Sequence, residues 1–508
     1  MDRIKPYLSA GSIYGRLITL VGLLMLGPLI VLPLNLEELE LAPAFIVPGT
    51  ICILVGLAIN IITNRKRDKD FEYQAPAQRG SLPVMFVWLF SFVVGAIPFL
   101  FTGQLNFVQA LFESVSGWTT TGLTLLQVYN MPHIFLFYRS YIQFFGGIGF
   151  ILVLSMFVRS RQTTSLYSAE GHTERVIPNV RRAARLIFII YSALLVAGTL
   201  LYWMSGESLF DALCQTMSAV STSGFSTEVE GFTSYGNFAV EAITVSLMLI
   251  GASNFATLLV LTDGKLTKLF RSTELRFMLV MIATFVPLIA LTLFFKLDLD
   301  IWTSLRQAVF GVVSVFSTTG FSIGAPYTTW PPFALGLIMI LMVIGGSSGS
   351  TSGGIKLIRT YFILRITRDS VLRQLSPAIR TDSPSYHSVR EKVDIDRALI
   401  SDTFGFVSCY LGILIIGTLL MTLTTGCTLF QAMFEFLSVF GTSGMSVGLT
   451  NINTNSATLI VEILGMFLGR MEIFVVFFGI SSFIKTVRNT FQRRLPRISP
   501  DPDADIFT

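Results

Sequence analysis

Residues 314–322 read SVFSTTGFS, and three other stretches superpose on them without gaps: SGWTTTGLT at 116–124, SAVSTSGFS at 218–226 and SVFGTSGMS at 438–446. The aligned glycines are Gly122, Gly224, Gly320 and Gly444, spaced by 102, 96 and 124 residues. Two residues before each stands Thr120, Thr222, Thr318 or Thr442. A hydroxyl precedes the glycine directly (Thr121, Ser223, Thr319, Ser443), and a bulky apolar residue follows it (Leu123, Phe225, Phe321, Met445). Six before is always a serine: Ser116, Ser218, Ser314, Ser438. Thirteen before stands Gln109, Asp211, Gln307 or Gln431, and about 25 after comes a further glycine, Gly147, Gly251, Gly345 or Gly469. One T-S-G alone is an ordinary turn. Four in register, each closing a half-length apolar stretch, are one unit used four times.

The surroundings of the repeat are membrane-grade. The 508 residues are 52% hydrophobic and only 13% charged, where soluble proteins carry about 25% charge. Apolar runs near the ~20 residues needed to cross a bilayer recur along the chain. Ten spanning helices are predicted at 13–34, 44–63, 82–101, 131–157, 183–204, 235–262, 275–296, 332–365 (broken), 399–423 and 455–485. The first has no small-residue cleavage site and reads as a retained helix rather than a signal peptide. The stretches 105–119, 207–221, 301–317 and 427–441 are too short to span and read as re-entrant half-helices.

The expected architecture is an all-α polytopic membrane protein. Four pseudo-repeated helix–pore-loop–helix units surround one pore, preceded by two extra N-terminal transmembrane helices. The expected boundaries are 1–75 for that pair, then 76–165, 166–268, 269–395 and 396–508 for the repeats, the last with a cytoplasmic tail. Basic residues cluster after every second span, as in Arg65–Lys69, Arg159–Arg182, Lys265–Arg271, Arg365–Arg373 and Lys485–Arg494. The loop between the first two spans holds Glu37, Glu38 and Glu40 and no base. By the positive-inside rule the basic loops and both termini are cytoplasmic. That rule also accounts for the net charge of +5, which is no nucleic-acid signal. Cys52, Cys214, Cys409 and Cys427 have no ligand-like spacing, and His133, His172 and His387 are isolated, so neither a metal site nor a disulfide framework is expected.

Irregular backbone at membrane depth persists only where it is buried in protein or lines water. Four equivalent loops around an axis can therefore face one pathway. Each offers backbone carbonyls, hydroxyls and a glycine free to take positive φ. Rings of such oxygens replace the hydration shell of a monovalent cation. Carboxylates, which hard divalent ions recruit, are absent from the loops. The half-helices would aim their negative C-terminal ends at the centre, again favouring a cation. The expected filter residues are Thr120–Leu123, Thr222–Phe225, Thr318–Phe321 and Thr442–Met445: Thr120, Thr121, Gly122, Leu123, Thr222, Ser223, Gly224, Phe225, Thr318, Thr319, Gly320, Phe321, Thr442, Ser443, Gly444 and Met445.

A second anomaly is GGSSGSTSGGIK at 345–356, set between FALGLIMILMVI and LIRTYFIL. Its five glycines cost about 1 kcal/mol each in helix propensity, so the eighth span breaks here, 25 residues after Gly320. A linker would need a full-length span on each side, and neither half is long enough. A phosphate loop needs Lys directly after its last glycine, whereas Ile355 intervenes before Lys356. The reading adopted is a loop projecting into a wet cavity below the filter, a gate built of Gly345, Gly346, Ser347, Ser348, Gly349, Ser350, Thr351, Ser352, Gly353, Gly354 and Lys356. Lys356 sits either at the cytoplasmic mouth or as a snorkelling interface lysine. Arg470 lies 26 residues after Gly444, at the repeat depth of Gly346. An intramembrane charge faces the bundle interior. Arg470 therefore either pairs with Glu472 or Glu462, or hydrogen-bonds the loop carbonyls and repels cations while the gate is shut. Glu113, Asp211 and Glu435, on the half-helices, either add negative potential at the outer vestibule or hydrogen-bond the filter backbone. Asn254 could line the cavity at the same depth.

With the four loops, GGSSGSTSGGIK and LGRMEI (468–473) in place, the chain resembles the Trk/Ktr/HKT superfamily of potassium transporters, and its two additional N-terminal helices resemble the TrkH branch. The resemblance implies a homodimer with one carbonyl-lined pore per subunit, an intramembrane gating loop, and a cytosolic ring of nucleotide-binding, TrkA-like regulatory subunits. Within the superfamily a serine at the first filter glycine accompanies sodium transport. Gly122 here favours potassium as the transported ion, with no cofactor bound by the chain and a location in the cytoplasmic (inner) membrane. A K⁺/H⁺ or K⁺/Na⁺ symporter is the alternative. Neither the loops nor the 345–354 break carries a recurrent protonatable group, which leans against proton coupling. An enzyme is not expected, since no nucleophile, metal or acid–base cluster lies at membrane depth.

Overall fold

The computed structural model describes residues 13–65, 81–149, 180–228, 231–262, 270–375, 385–388 and 392–494. The structure is helical almost throughout. Helix α1 (Ile13–Met25) runs into 3-10 turns at Gly27–Leu34, and α2 (Pro43–Arg65) returns beside it. Repeat one follows as α3 (Ser81–Leu100), α4 (Phe107–Trp118) and α5 (His133–Ile148). Repeat two is α6 (Val180–Met204), α7 (Leu209–Val220), α8 (Phe238–Gly251) and α9 (Phe255–Thr262). Repeat three is α10 (Thr273–Leu297), α11 (Ile301–Phe316), α12 (Pro332–Ile344) and α13 (Leu357–Leu375). A short antiparallel hairpin, β1 (Ser385–His387) with β2 (Lys392–Asp394), leads to repeat four: α14 (Arg397–Thr425), α15 (Leu429–Phe440), α16 (Ser456–Arg470) and α17 (Ile473–Arg494).

Among the described residues six helices are long and apolar enough to cross a membrane, or seven if the bent pair α16–α17 counts as one span. Long stretches of α2, α6, α10 and α14 leave large apolar side chains such as Leu54, Trp203, Phe295 and Ile415 exposed, as a lipid-facing surface requires.

The four half-helices are α4, α7, α11 and α15, and their starts explain the residue thirteen before the glycine in repeats one, two and four. Asn106 and Thr428 cap α4 and α15, and Gln109 and Gln431 reach back to complete the capping box. Asp211 occupies the same position above Ser208. Helix α11 begins further upstream, capped by Asp300, so Gln307 falls in its interior.

The expected spans need two corrections. The run 235–262 is not one helix; it breaks at Ala252–Asn254 between α8 and α9. The run 455–485 bends by 102° between α16 and α17. Interruption at this depth is thus shared by repeats two, three and four, where the sequence reading assigned it to repeat three alone. In repeat one α5 ends at Ile148, and Gly149 takes φ 93°. The remainder of the expected 131–157 span lies outside the described residues, as do Arg159, Arg161 and Arg175. The physical reason for the breaks is tertiary. The carbonyls of Gly251 and Ala252 accept from Thr351 Oγ1 and Ser347 N–H, and those of Gly146 and Gly147 accept from Arg470. These carbonyls find partners outside their own helix, so continuing the helix gains nothing there.

Candidate functional site

Each half-helix ends in the same way. The threonine two before the glycine takes a left-handed backbone, with φ 57° at Thr120, 52° at Thr222, 58° at Thr318 and 51° at Thr442. Its N–H bonds three residues back, and the next N–H bonds five back, to the carbonyls of Ser116, Ser218, Ser314 and Ser438 at 2.9, 2.9, 2.8 and 2.7 Å. This is a Schellman cap, whose left-handed position usually belongs to glycine. A β-branched residue there is strained by about 1–2 kcal/mol, and such strain gathers at functional sites. The sequence reading expected positive φ at the glycines and missed it at the threonines. Glycine would relieve the strain but supply no hydroxyl.

Gly122, Gly320 and Gly444 also take positive φ (86°, 82° and 72°), and Gly224 does not. What all four share is crowding. A methyl group on Gly122 would come within 3.0 Å of Gly224, and one on Gly224 would lie 2.7 Å from the Thr319 carbonyl oxygen. On Gly320 and Gly444 it would come within 3.0 Å of the carbonyl oxygens of Ser443 and Thr121. Each loop therefore presses on the next, in the cyclic order one, two, three, four, one. The sixteen predicted filter residues come together as a closed ring of backbone, with Thr121, Ser223, Thr319 and Ser443 all buried.

Behind the ring the buried acids act as braces. Glu113 Oε1 accepts from Thr124 Oγ1 at 2.9 Å, from Leu126 N–H at 3.2 Å and from Leu125 N–H. Glu435 accepts from Ser446 Oγ, Val447 N–H and Thr450, and Gln215 donates to Ser226 Oγ at 3.0 Å. All three sit nine residues before their glycines; repeat three has Gly311 there. Of the two readings left open for these acids, hydrogen bonding to the loops describes Glu113 and Glu435. Asp211 instead lies at the start of α7, bonded to Ser208 Oγ at 2.6 Å.

The 345–356 segment lies against the ring at Thr222 and Thr318. The hydroxyls of Thr351 and Thr222 share a hydrogen bond of 2.7 Å, and Gly353 N–H donates to Thr318 Oγ1 at 3.1 Å. The expectation of a loop projecting into water is corrected. Gly345–Ser347 and Ser350–Ile355 are buried, and Ser348 and Gly349 are partly so. Several of the loop's backbone groups bond to protein: Ser348 N–H donates to Glu274 Oε1 at 3.0 Å, the Gly349 carbonyl accepts from Phe255 N–H at 3.3 Å, and Leu357 N–H donates to the Gly346 carbonyl at 2.9 Å. A cavity remains beside it, lined by Trp88, Gly149, Ser350, Gly354, Lys356 and Arg470 among others. Lys356 turns inward and donates from Nζ to the Ser352 carbonyl at 2.6 Å. Asn254 sits in the α8–α9 break, its Nδ2 3.4 Å from Glu274 Oε2.

Arg470 bridges three units. Nη1 donates to the Thr351 carbonyl at 2.6 Å, and Nη2 donates to the Gly146 and Gly147 carbonyls at 2.6 and 3.2 Å. Its two suggested acidic partners are occupied elsewhere, Glu472 with Arg359 at 3.0 Å and Glu462 with Thr450 Oγ1 at 2.7 Å. Of the two readings, bonding to loop carbonyls is the geometry present. A second intramembrane arginine, Arg139 on α5, was passed over by the sequence reading. The same signal that marked Arg470, a lone charge inside an apolar run, marks it too. Among the described residues no group of His, Cys, Asp or Glu could hold a metal ion, and Cys52, Cys214, Cys409 and Cys427 are unpaired.

Residues 49–482 match the family model described as TrkH, cation transport protein. An uncharacterized cation transporter of Methanocaldococcus jannaschii is 31% identical over 94% of this chain and 96% of its own. A Trk system potassium uptake protein, TrkH, of Halomonas elongata is 29% identical over 91% and 96%. The crystal structure of the potassium transporter TrkH from Vibrio parahaemolyticus superposes with a TM-score of 0.79 at 26% identity, covering 91% of this chain and 96% of that one. The repeated loops, the interrupted second helices and a family match over most of the length lead to one conclusion: this chain belongs to the TrkH family of membrane cation transport proteins.

Proposed function

We propose that the protein takes up potassium across the cytoplasmic membrane through the four-loop ring, with the 345–356 segment as its gate. The observation that carries the reading is the cyclic packing of the four T-[ST]-G loops, each glycine against the next loop's backbone. A constriction walled by backbone oxygens suits a dehydrated monovalent cation. Potassium is favoured by the similarity to TrkH potassium transporters and by Gly122 at the first filter position. The gate lies directly under the filter threonines, held by Thr222, Thr318 and Arg470, so closure and filter share one hydrogen-bond network. The chain acts as a homodimer in the cytoplasmic membrane, both termini inside. Nucleotide-binding regulatory subunits dock on its cytoplasmic face, with exposed Arg368 on α13 as a candidate contact.

The test is purified protein in liposomes, with the reversal potential measured under opposed K⁺ and Na⁺ gradients at several pH values. A potential that follows the K⁺ gradient alone supports a passive potassium pathway. One that moves with pH or with Na⁺ replaces it with the coupled symporter. Thr351→Val removes the hydroxyl bond to Thr222 and the 3.2 Å bond to the Gly251 carbonyl. At a net ~1 kcal/mol for each of the two bonds, and a factor of ten per 1.4 kcal/mol, resting flux through the unstimulated protein should rise roughly thirtyfold. Flux equal to the parent's would remove Thr351 from the latch.

A further inference from the structure

Arg139 is only 1% exposed, and its Nε and Nη1 have no hydrogen-bond partner. Its guanidinium carbon lies 4.1 Å from the centre of the Phe225 ring, the bulky residue of filter loop two, and it interacts electrostatically with Glu113. One helical turn on, buried Gln143 accepts at 3.0 Å from Ser218 Oγ. Ser218 is the repeated serine six before the glycine. In repeats one and three that serine does something else: Ser116 Oγ donates to the Leu123 carbonyl at 2.6 Å, and Ser314 Oγ to the Phe321 carbonyl at 2.7 Å. Loops one and three are thus tied back by their own half-helices. In loop two the hydroxyl goes to Gln143, and Gly224 is the one filter glycine outside the left-handed region.

We propose that Arg139 and Gln143, on α5, the second helix of repeat one, are positioning residues that hold filter loop two and thereby set ion selectivity. Resting on the filter reading above, this adds a cross-repeat brace to it. The mechanics are specific. A planar guanidinium clamps the Phe225 ring by a cation–π contact, worth most where water is excluded. Gln143 removes the serine that would otherwise pull the Phe225 carbonyl toward α7. Glu113, the acid whose charge acts on the guanidinium, also braces loop one through Thr124 and Leu126, so Arg139 sits between adjacent loops of the ring. Selectivity by a backbone ring depends on the spacing of oxygens from all four loops, and a freed loop two loosens that spacing.

The experiment measures the K⁺/Na⁺ permeability ratio of full-length protein in liposomes for Arg139→Met, Arg139→Lys, Gln143→Leu and Phe225→Leu. The expected result is a roughly tenfold lower ratio for Arg139→Met and Phe225→Leu, with no further loss in the double variant, because both remove one contact. Arg139→Lys should recover little, since an ammonium does not stack as a guanidinium does. Gln143→Leu should lower the ratio severalfold. Should Arg139→Met fail to fold, Phe225→Leu and Gln143→Leu carry the same expectation. A parental ratio in the folded variants overturns the brace. Gly444→Ala, run in parallel, separates the causes. If it also leaves the ratio unchanged, the filter reading itself fails; if it alone changes the ratio, only the brace does.

Discussion

Arg470→Ala raises resting potassium flux by about a hundredfold at unchanged abundance. The three carbonyls it serves belong to the proposed gate (Thr351) and to the end of α5 (Gly146, Gly147). Hydrogen bonds to charged groups contribute about 1.5–3 kcal/mol each where both partners are buried. Shared among three acceptors that regain water when the loop retracts, the net closed-state stabilisation is about 3 kcal/mol. Each 1.4 kcal/mol is a factor of ten. Removing the cation also lifts an electrostatic barrier below the ring, in the same direction. Arg470→Lys keeps the charge but reaches fewer carbonyls, so its leak should be intermediate. Liposome efflux without regulatory subunits reads both. Unchanged or lower flux in a normally expressed Arg470→Ala protein would end the latch assignment.

Gly444→Ala lowers uptake at least a hundredfold. Two penalties coincide at this site. With φ at 72°, an alanine is held in the left-handed region, and its Cβ would come within 3.0 Å of the Thr121 carbonyl oxygen. The obstacle is backbone of the neighbouring loop, which cannot rotate away as a side chain can. Gly320→Ala, with φ at 82° against the Ser443 carbonyl, should behave alike. Gly224→Ala is the internal control. Its backbone is not left-handed, and its Cβ would lie 2.7 Å from the Thr319 carbonyl oxygen, so only the crowding penalty applies and the loss should be smaller. Equal losses at all three would mean that conformation contributes nothing and crowding everything. Gly122→Ser meets the same two penalties, with φ at 86° and its Cβ within 3.0 Å of the Gly224 backbone, so its flux should fall as for Gly444→Ala, with the reversal potential of what remains shifted toward Na⁺, as the family resemblance implies.

Much of the site can be read from residue types at fixed spacing. The four T-[ST]-G-x-[ST] stretches place the ring, the glycine-rich 345–356 run breaks its helix through propensity alone, and Arg470 is conspicuous as a charge in an apolar segment. Arg139 carries the same mark but lies on α5 eight residues before Gly147, at a depth the glycine spacing does not single out. The strained threonines were hidden because glycine stood two residues away and offered the cheaper explanation of a turn.

Composition and periodicity alone dictate that this chain is helical, membrane-embedded, fourfold repeated and interrupted by four short loops, because apolar run length and glycine content act within each segment. The tertiary fold alone decides the cyclic order of the loops, the bends at Ala252–Asn254 and Met471–Glu472, and which carbonyls face inward. Those depend on partners 100 to 324 residues away, such as Thr351 for Gly251 and Arg470 for Gly146. A helix continues or stops according to where its N–H and carbonyl groups find their bonds, and local sequence does not record what another repeat brings to meet them.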